Sequence, residues 1–307
     1  MEGFERSKHN ASAKFFTRKR ERRFIMNRIT RSAAILLIAA FVFSFTASAY
    51  ADVPSGVEDG VLTVAMECAY APYNWAQTDD SNGAVPISGS DLYANGYDVM
   101  MAKLLCEANG WDLEVVQLDW DSLIPAVMTG TVDAVIAGQS MTAERMEAVD
   151  FAGPYLYASI VCLTLQSSPF ASAQGISELS GGRATSQSGT IWYDSCLPQI
   201  EGAQITTAKD TAPAMLMDLE TGTVDFVCTD MPTAQGALIV YPDMTILDFT
   251  GTDDDFDVSD EDINIGISLM KGNIVLLDAL NAVLNDMTAD DFNELMAQAI
   301  AVQPIED

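Results

Sequence analysis

V-D-A-V-I-A-G-Q-S-M-T-A-E-R-M-E-A-V-D-F-A-G-P-Y, residues Val132 to Tyr155, is the stretch on which the reading of the fold turns. It contains a short apolar run, Ala134 to Ala137, that stops at Gly138. A run of that length bounded by glycine reads as a buried parallel strand. Gly138, Ser140 and Thr142 follow, and Thr142 is placed to cap a short helix with Glu144 in its first turn. Arg145 then lies within one turn of a helix start, just beyond the carboxyl end of a strand. Ligands bind at such ends in open α/β sheets. Backbone N–H groups, hydroxyls and a guanidinium together suit a small carboxylate.

The charge balance singles out Arg145. The 307-residue chain has 15 Lys and Arg against 44 Asp and Glu, a net charge of −29. Ten of the bases precede residue 32, which leaves Lys103, Arg145, Arg183, Lys209 and Lys271; only three of the acids, Glu2, Glu5 and Glu21, precede residue 52. The plainer reading of Arg145 is an ion pair with Glu147 or Asp150. So acidic a chain lacks the clustered cations that nucleic acid requires, and it repels anionic membranes. Its charge favours solubility.

Residues 1–51 read as an N-terminal extension followed by a signal peptide that starts at Met26. Arg28 and Arg31 form the basic region, Ala33 to Phe45 the 13-residue apolar run, and Ala49-Tyr50-Ala51 the cleavage site. An uncleaved anchor is the alternative. With no Cys near the cleavage site, the expected product is a soluble periplasmic or extracellular protein. The five cysteines, Cys68, Cys106, Cys162, Cys196 and Cys228, match no metal or C-x-x-C spacing. Cys106, Cys162 and Cys228 lie in apolar runs and read as buried thiols. The only histidine is His9, so the mature chain can form no His-based catalytic triad or His-ligated metal centre. No cofactor is expected.

Along the rest of the chain, strands are expected at Val61–Met66, Leu113–Leu118, Ala158–Leu165, Val224–Asp230 and Ile263–Met270. Helices are expected at Tyr97–Asn109 (stopped by Gly110), Ser122–Met128 (capped by Asp121), Ile191–Leu197, from Asp210 as its cap to Glu220, Ile274–Met287 and Ala289–Ala301 (capped by Thr288). Residues Gln77 to Asn95 read as a surface insertion without periodic structure. Asp150 to Tyr155 reads as a helix break, and Asp253 to Asp262 as a solvated acidic loop lacking the EF-hand glycine. Thr129-Gly130-Thr131-Val132-Asp133 is echoed by Thr221-Gly222-Thr223-Val224-Asp225. Two related βα units in two lobes, each with a mostly parallel sheet, fit this alternation.

G-Y-D-V-M-M-A-K-L-L from Gly96, D-W-D-S-L-I-P-A-V-M-T-G-T-V-D-A-V-I-A-G-Q-S-M-T-A-E-R from Asp119, and V-D-F-A-G-P-Y from Val149 resemble the family 3 extracellular solute-binding proteins of ABC amino-acid importers. The resemblance covers roughly Val61 to Ala301. It implies a two-lobed periplasmic-binding-protein fold of type II with a two-strand hinge: lobe one from residues 52–162 and 266–307, lobe two from 163–265. It implies that Arg145 clamps a ligand carboxylate and that Gly138 and Ser140 meet the amino acid's charged groups. Thr190, with Gly189, would donate from lobe two, and Asp230 would pair with the ammonium. Tyr70 and Trp120 would sandwich the side chain, with Glu67 near its end. The expected partners are a free L-amino acid, with a polar or cationic side chain favoured, and the permease subunits of an ABC importer. The protein is expected to act as a monomer. The plainer readings are an N-cap role for Asp230 before Met231-Pro232 and core packing for Trp120. A dehydratase-like enzyme on the same fold and a soluble sensor subunit are the alternative functions.

Overall fold

The computed structural model describes residue 57 and residues 59–304, without the side chains of 260 and 261. The extension, signal segment and cleavage site expected within residues 1–51 lie outside the described residues. Strands β1 (Val61–Met66), β2 (Ala69–Tyr70), β3 (Asn74–Gln77), β4 (Val85–Pro86) and β5 (Tyr93–Asn95) precede helix α1 (Tyr97–Asn109). Then come β6 (Asp112–Gln117), α2 (Leu123–Met128), β7 (Ala134–Val135), α3 (Ala143–Ala148), β8 (Val149–Leu156), β9 (Ile160–Leu165), β10 (Arg183–Thr185) and β11 (Gln204–Ile205). The chain continues through α4 (Ala212–Glu220), β12 (Phe226–Asp230), α5 (Met231–Val240), β13 (Met244–Leu247), α6 (Asp260–Ile263), β14 (Ile265–Met270), α7 (Ile274–Leu284) and α8 (Ala289–Val302).

Two five-stranded sheets carry the fold, in the orders β6-β1-β7-β14-β8 and β11-β10-β12-β9-β13. In the first, β6, β1 and β7 are parallel, and β14 runs antiparallel to both β7 and β8. In the second, β11, β10 and β12 are parallel, and β9 runs antiparallel to β12 and β13. Each sheet therefore has four strands in one direction and one reversed. Each reversed strand, β9 and β14, is the first that the chain forms after leaving the other sheet. Sheet membership changes within residues 157–159 on the way out and at Asn264 on the way back. Helices on both faces bury the central strands, so β9 and β12 read as near-continuous apolar runs. The edge strand β6 (DLEVVQ) alternates and stays half exposed.

Local structure follows the sequence closely where side chains decide it. Gly110, at φ 72°, ends α1 as expected of a residue that enters the left-handed region without strain. The Thr142 hydroxyl caps α3 by accepting the Arg145 N–H at 3.2 Å. Thr288 and Asp291 form a reciprocal capping box at α8.

Five expectations need correction. Residues 77–95 are not without structure: β4 and β5 pair with β3 and β2 in a four-stranded antiparallel sheet, and Ala84, Ile87 and Ala94 are buried. Strands of two or three residues are too short to show alternation in the sequence. Residues 150–155 are not a break but most of β8, whose Gly153-Pro154 is tolerated because β8 is an edge strand. Asp121 and Asp210 do not cap. Ser122 precedes α2 without a side-chain cap, and the Thr211 hydroxyl accepts the Ala214 N–H at the start of α4. The 191–197 helix is a π turn, Trp192–Cys196, running into a 3-10 turn. The acidic loop is not wholly solvated: Phe256 is buried, and Asp254 accepts from the Ser177 hydroxyl and N–H. The strand β13 had no expectation.

Candidate functional site

The parallel strands of the two sheets point their carboxyl ends at one seam, and the expected site residues stand on those ends. Glu67 follows β1, Trp120 follows β6 and Gly138 to Ser140 follow β7, all in the first sheet. Gln187 to Thr190 follow β10, and Asp230 ends β12, in the second. An open α/β sheet exposes unpaired backbone groups and helix starts at these ends.

Side-chain hydrogen bonds cross the seam at the strand ends. The Tyr70 hydroxyl donates to Asp230 Oδ2 at 2.8 Å. Arg145 Nη2 donates to the Gly189 carbonyl at 2.9 Å. Gln187 Nε2 donates to Glu67 Oε2 at 3.3 Å. Gly189, at φ 66°, lies so close to Trp120 that a Cβ there would stand 3.3 Å from the indole nitrogen.

Arg145 is half-buried. Its Nη1 donates to the Ser140 carbonyl at 2.8 Å, and its Cζ stands 5.5 Å from the centroid of the Trp120 ring. The ion pairs found among the described residues are Arg183–Asp225 and Lys209–Asp218; Arg145 forms neither with Glu147 nor with Asp150. Burial lowers its pKa to about 10, so it stays charged at neutral pH. A cavity of about 630 Å³ opens beside it, lined by Arg145, Gly189, Thr190, Asp194, Asp257 and Asp262 among others. The Thr190 hydroxyl donates to the Gln187 carbonyl at 2.7 Å, which fixes the turn.

Asp230 is fully buried. Its Oδ1 accepts the Thr233 N–H at 2.8 Å, so it is the N-cap of α5, and its Oδ2 takes Tyr70. Burial pushes its pKa up. Tyr70 stacks on Tyr73 at 4.9 Å and meets Trp120 edge-on at 6.4 Å. Gly138 adopts φ 63°, and a Cβ there would lie 2.9 Å from the Tyr70 ring. Its N–H bonds the Tyr155 hydroxyl at 3.0 Å. Ser140 is buried beneath Arg145.

A second cavity, about 450 Å³, is lined by Glu67, Asp119, Trp120, Asp121, Ser122, Ser188, Asp210 and Thr211. Four carboxylates from both sides of the seam face it. Glu67 is 5% exposed, and burial, reinforced by the charges of Asp119 and Asp121, raises its pKa to about 7. Asp119, Asp121 and Asp210 were not singled out from the sequence as site residues. Their available signal was position: each is an acid in a loop beyond a strand end. Helix-capping readings absorbed Asp121 and Asp210. Among the described residues no group of His, Cys, Asp and Glu is placed to hold a metal ion.

Glu67 and Trp120 thus line one cavity, and Arg145, Gly189 and Thr190 the other. Tyr70, Gly138, Ser140 and Asp230 form the buried seam between them. No helix of the described residues is long and apolar enough to cross a membrane.

Known proteins resemble this chain throughout its folded part. It is 29% identical over 183 residues to a protein of Campylobacter jejuni named as a probable histidine-binding protein, covering 60% of this chain and 65% of that one, just short of two thirds of its length. It is 27% identical over 256 residues to the putative ABC transporter arginine-binding protein 2 of Escherichia coli, covering 83% and 93%. Its fold superposes with a TM-score of 0.67 on the amino acid ABC transporter substrate-binding protein AbpA of Streptococcus pneumoniae, solved bound to L-arginine, at 21% identity over 83% of this chain and all of that one. The sequence pattern of one family matches residues 62–300. The chain belongs to the bacterial extracellular solute-binding proteins, family 3, which are binding proteins and not enzymes, and has their two-lobed fold.

Proposed function

We propose that the protein binds a free amino acid with a cationic side chain at the seam between its lobes and delivers it to the permease subunits of an ABC importer. The observation that carries this reading is Arg145. It is held by one carbonyl from each side of the seam and has no carboxylate partner among the described residues. A guanidinium so held is available to a ligand carboxylate. Asp230, reached when Tyr70 releases it, takes the ammonium. Gly138, Ser140, Gly189 and Thr190 shape the two walls, and Tyr70 and Trp120 flank the side chain.

Glu67, Asp119, Asp121 and Asp210 favour a basic side chain in the cavity that they line. A cation there offsets the mutual repulsion of the four acids and lowers the cost of ionising Glu67. The relatives named as histidine- and arginine-binding proteins support this class. Ligand touching both walls stabilises the closed arrangement. The lobe boundaries fall at the two crossings, within residues 157–159 and at Asn264, a few residues from the bounds expected from the resemblance, because β9 lies wholly in the second sheet and β14 wholly in the first. The chain acts as an exported monomer, cleaved near Ala51.

Titration calorimetry against the twenty amino acids tests the reading. Micromolar affinity corresponds to about −8 kcal/mol. Loss of a charged contact whose partner stays buried costs roughly 2–5 kcal/mol. Arg145→Ala is expected to weaken binding at least tenfold; unchanged affinity would remove Arg145 from the site. Tighter binding of acidic or apolar amino acids than of arginine, lysine or histidine would overturn the cationic class.

A further inference from the structure

Asp98, the second residue of α1, is fully buried, and no role in binding has so far been given to it. Its two oxygens hold two different side chains. Oδ1 accepts the Tyr155 hydroxyl proton at 2.6 Å, and Oδ2 accepts from Asn74 Nδ2 at 2.7 Å. Each of these side chains holds a backbone N–H in turn. The Tyr155 oxygen accepts the Gly138 N–H at 3.0 Å, and Asn74 Oδ1 accepts the Cys68 N–H at 2.7 Å. Cys68 is one of two described non-glycine residues at positive φ, 55°, a conformation that costs energy unless its surroundings enforce it. Tyr155 is further fixed by ring stacking on Tyr97 at 5.6 Å.

The two N–H groups belong to the two lobe-one loops that build the site. Cys68 sits between Glu67 and Tyr70, and Gly138 sits two residues before Ser140. We infer that Asp98 is a positioning residue: through Asn74 and Tyr155 it sets the spacing of the Glu67–Tyr70 loop against the Gly138–Ser140 loop, and with it the geometry offered to the amino acid. This rests on the amino-acid reading of the site. The chemistry requires a carboxylate. Both neighbours donate to Asp98, so it must accept twice. An asparagine there keeps only one acceptor oxygen and presents an NH₂ to one of the two donors. If that NH₂ faces Asn74, the Asn74 amide must turn and release Cys68; if it faces Tyr155, the hydroxyl loses its acceptor. Either way one loop's anchor is released or loses the partner that orients it, in a site that allows few alternative partners.

The experiment compares L-arginine affinity, by calorimetry, with melting temperature in the wild type, Asp98→Asn, Tyr155→Phe, the double variant, and Leu105→Ala. Leu105 is buried on the same helix, about two turns beyond Asp98. Asp98→Asn and Tyr155→Phe are expected to weaken binding tenfold or more. The double variant is expected to bind within threefold of the weaker single, because both changes act along one chain of contacts. Leu105→Ala should lower the melting temperature at least as much while keeping affinity within twofold. Wild-type affinity in Tyr155→Phe, which also decides the matter if Asp98→Asn does not fold, overturns the inference. So does an equal loss of affinity in Leu105→Ala. A wild type that binds while these variants bind equally well overturns the positioning role alone; a wild type that binds no amino acid overturns the proposed function and the positioning role with it.

Discussion

At the residue scale, Glu67 shows how burial converts composition into chemistry. An acidic chain has carboxylates everywhere, yet most face water. Glu67 is buried beside Asp119 and Asp121, and its pKa rises to about 7. The folded protein holds that proton more tightly than the unfolded chain does. This contribution to stability is therefore complete below about 4.5, the ordinary value, and is lost as the pH rises through about 7. Asp98, raised by burial to about 6, acts in the same sense at a lower pH. Glu67→Gln is expected to melt close to the wild type at pH 5 and above it at pH 8, read by thermal scanning. The same change should weaken L-arginine binding at pH 8 by tenfold or more, because the ionised carboxylate that a cation would pair with is gone. A wild-type melting difference that does not narrow toward pH 5 would remove Glu67 as its source.

At the element scale, the caps decide where helices begin, and the helix starts decide where ligand-facing groups stand. Thr142 holds the Arg145 N–H, so the same turn that starts α3 also places the guanidinium at the seam. Thr288 starts α8, whose Phe292, Met296 and Ala299 pack into the core far along the chain from any site residue. Thr288→Ala should cost about 1 kcal/mol and lower the melting temperature by roughly 2–4 °C for a chain of this size. Its denaturant midpoint should fall with the slope unchanged, and L-arginine affinity should be unaffected. Thr142→Ala, with a cap of the same chemistry, should instead weaken binding, since the turn it releases carries Arg145. Equal affinity in the two variants would separate α3 from the site.

At the scale of the molecule, the two sheets meet through their crossings. Ser159 accepts the Met231 N–H at the start of α5, and Asn264 accepts the Met141 N–H beside Ser140. The segments that link the lobes thus brace one site loop in each lobe, which ties the crossings to the site's geometry. The packing of the two lobes leaves all five thiols buried, with Cys162, Cys196 and Cys228 together in the core of the second lobe. The native protein is expected to give no rapid reaction with a thiol reagent, and five equivalents once denatured. Any rapid reaction before unfolding would mean that a thiol-bearing core opens under native conditions.

The sequence by itself determined the longer strands β1, β6, β9, β12 and β14, the helices α1, α4, α7 and α8, and the position of Arg145 at a strand–helix junction. These are local matters: apolar period, a capping hydroxyl, a glycine that accepts positive φ. Scarcity of cations made Arg145 legible, because a rare charge stands out in composition alone. The short strands β2 to β5 were not legible, since pairs of two or three residues carry no period and exist through their partners. Only the tertiary structure decided that Asp121 and Asp210 leave the helix starts to face Glu67 and Asp119 across one cavity. Only it showed that buried Asp98 reaches two loops 70 residues apart through Asn74 and Tyr155. Which carboxylate is solvated, which caps and which lines a cavity depends on what the rest of the chain packs against it, and a linear pattern does not contain that.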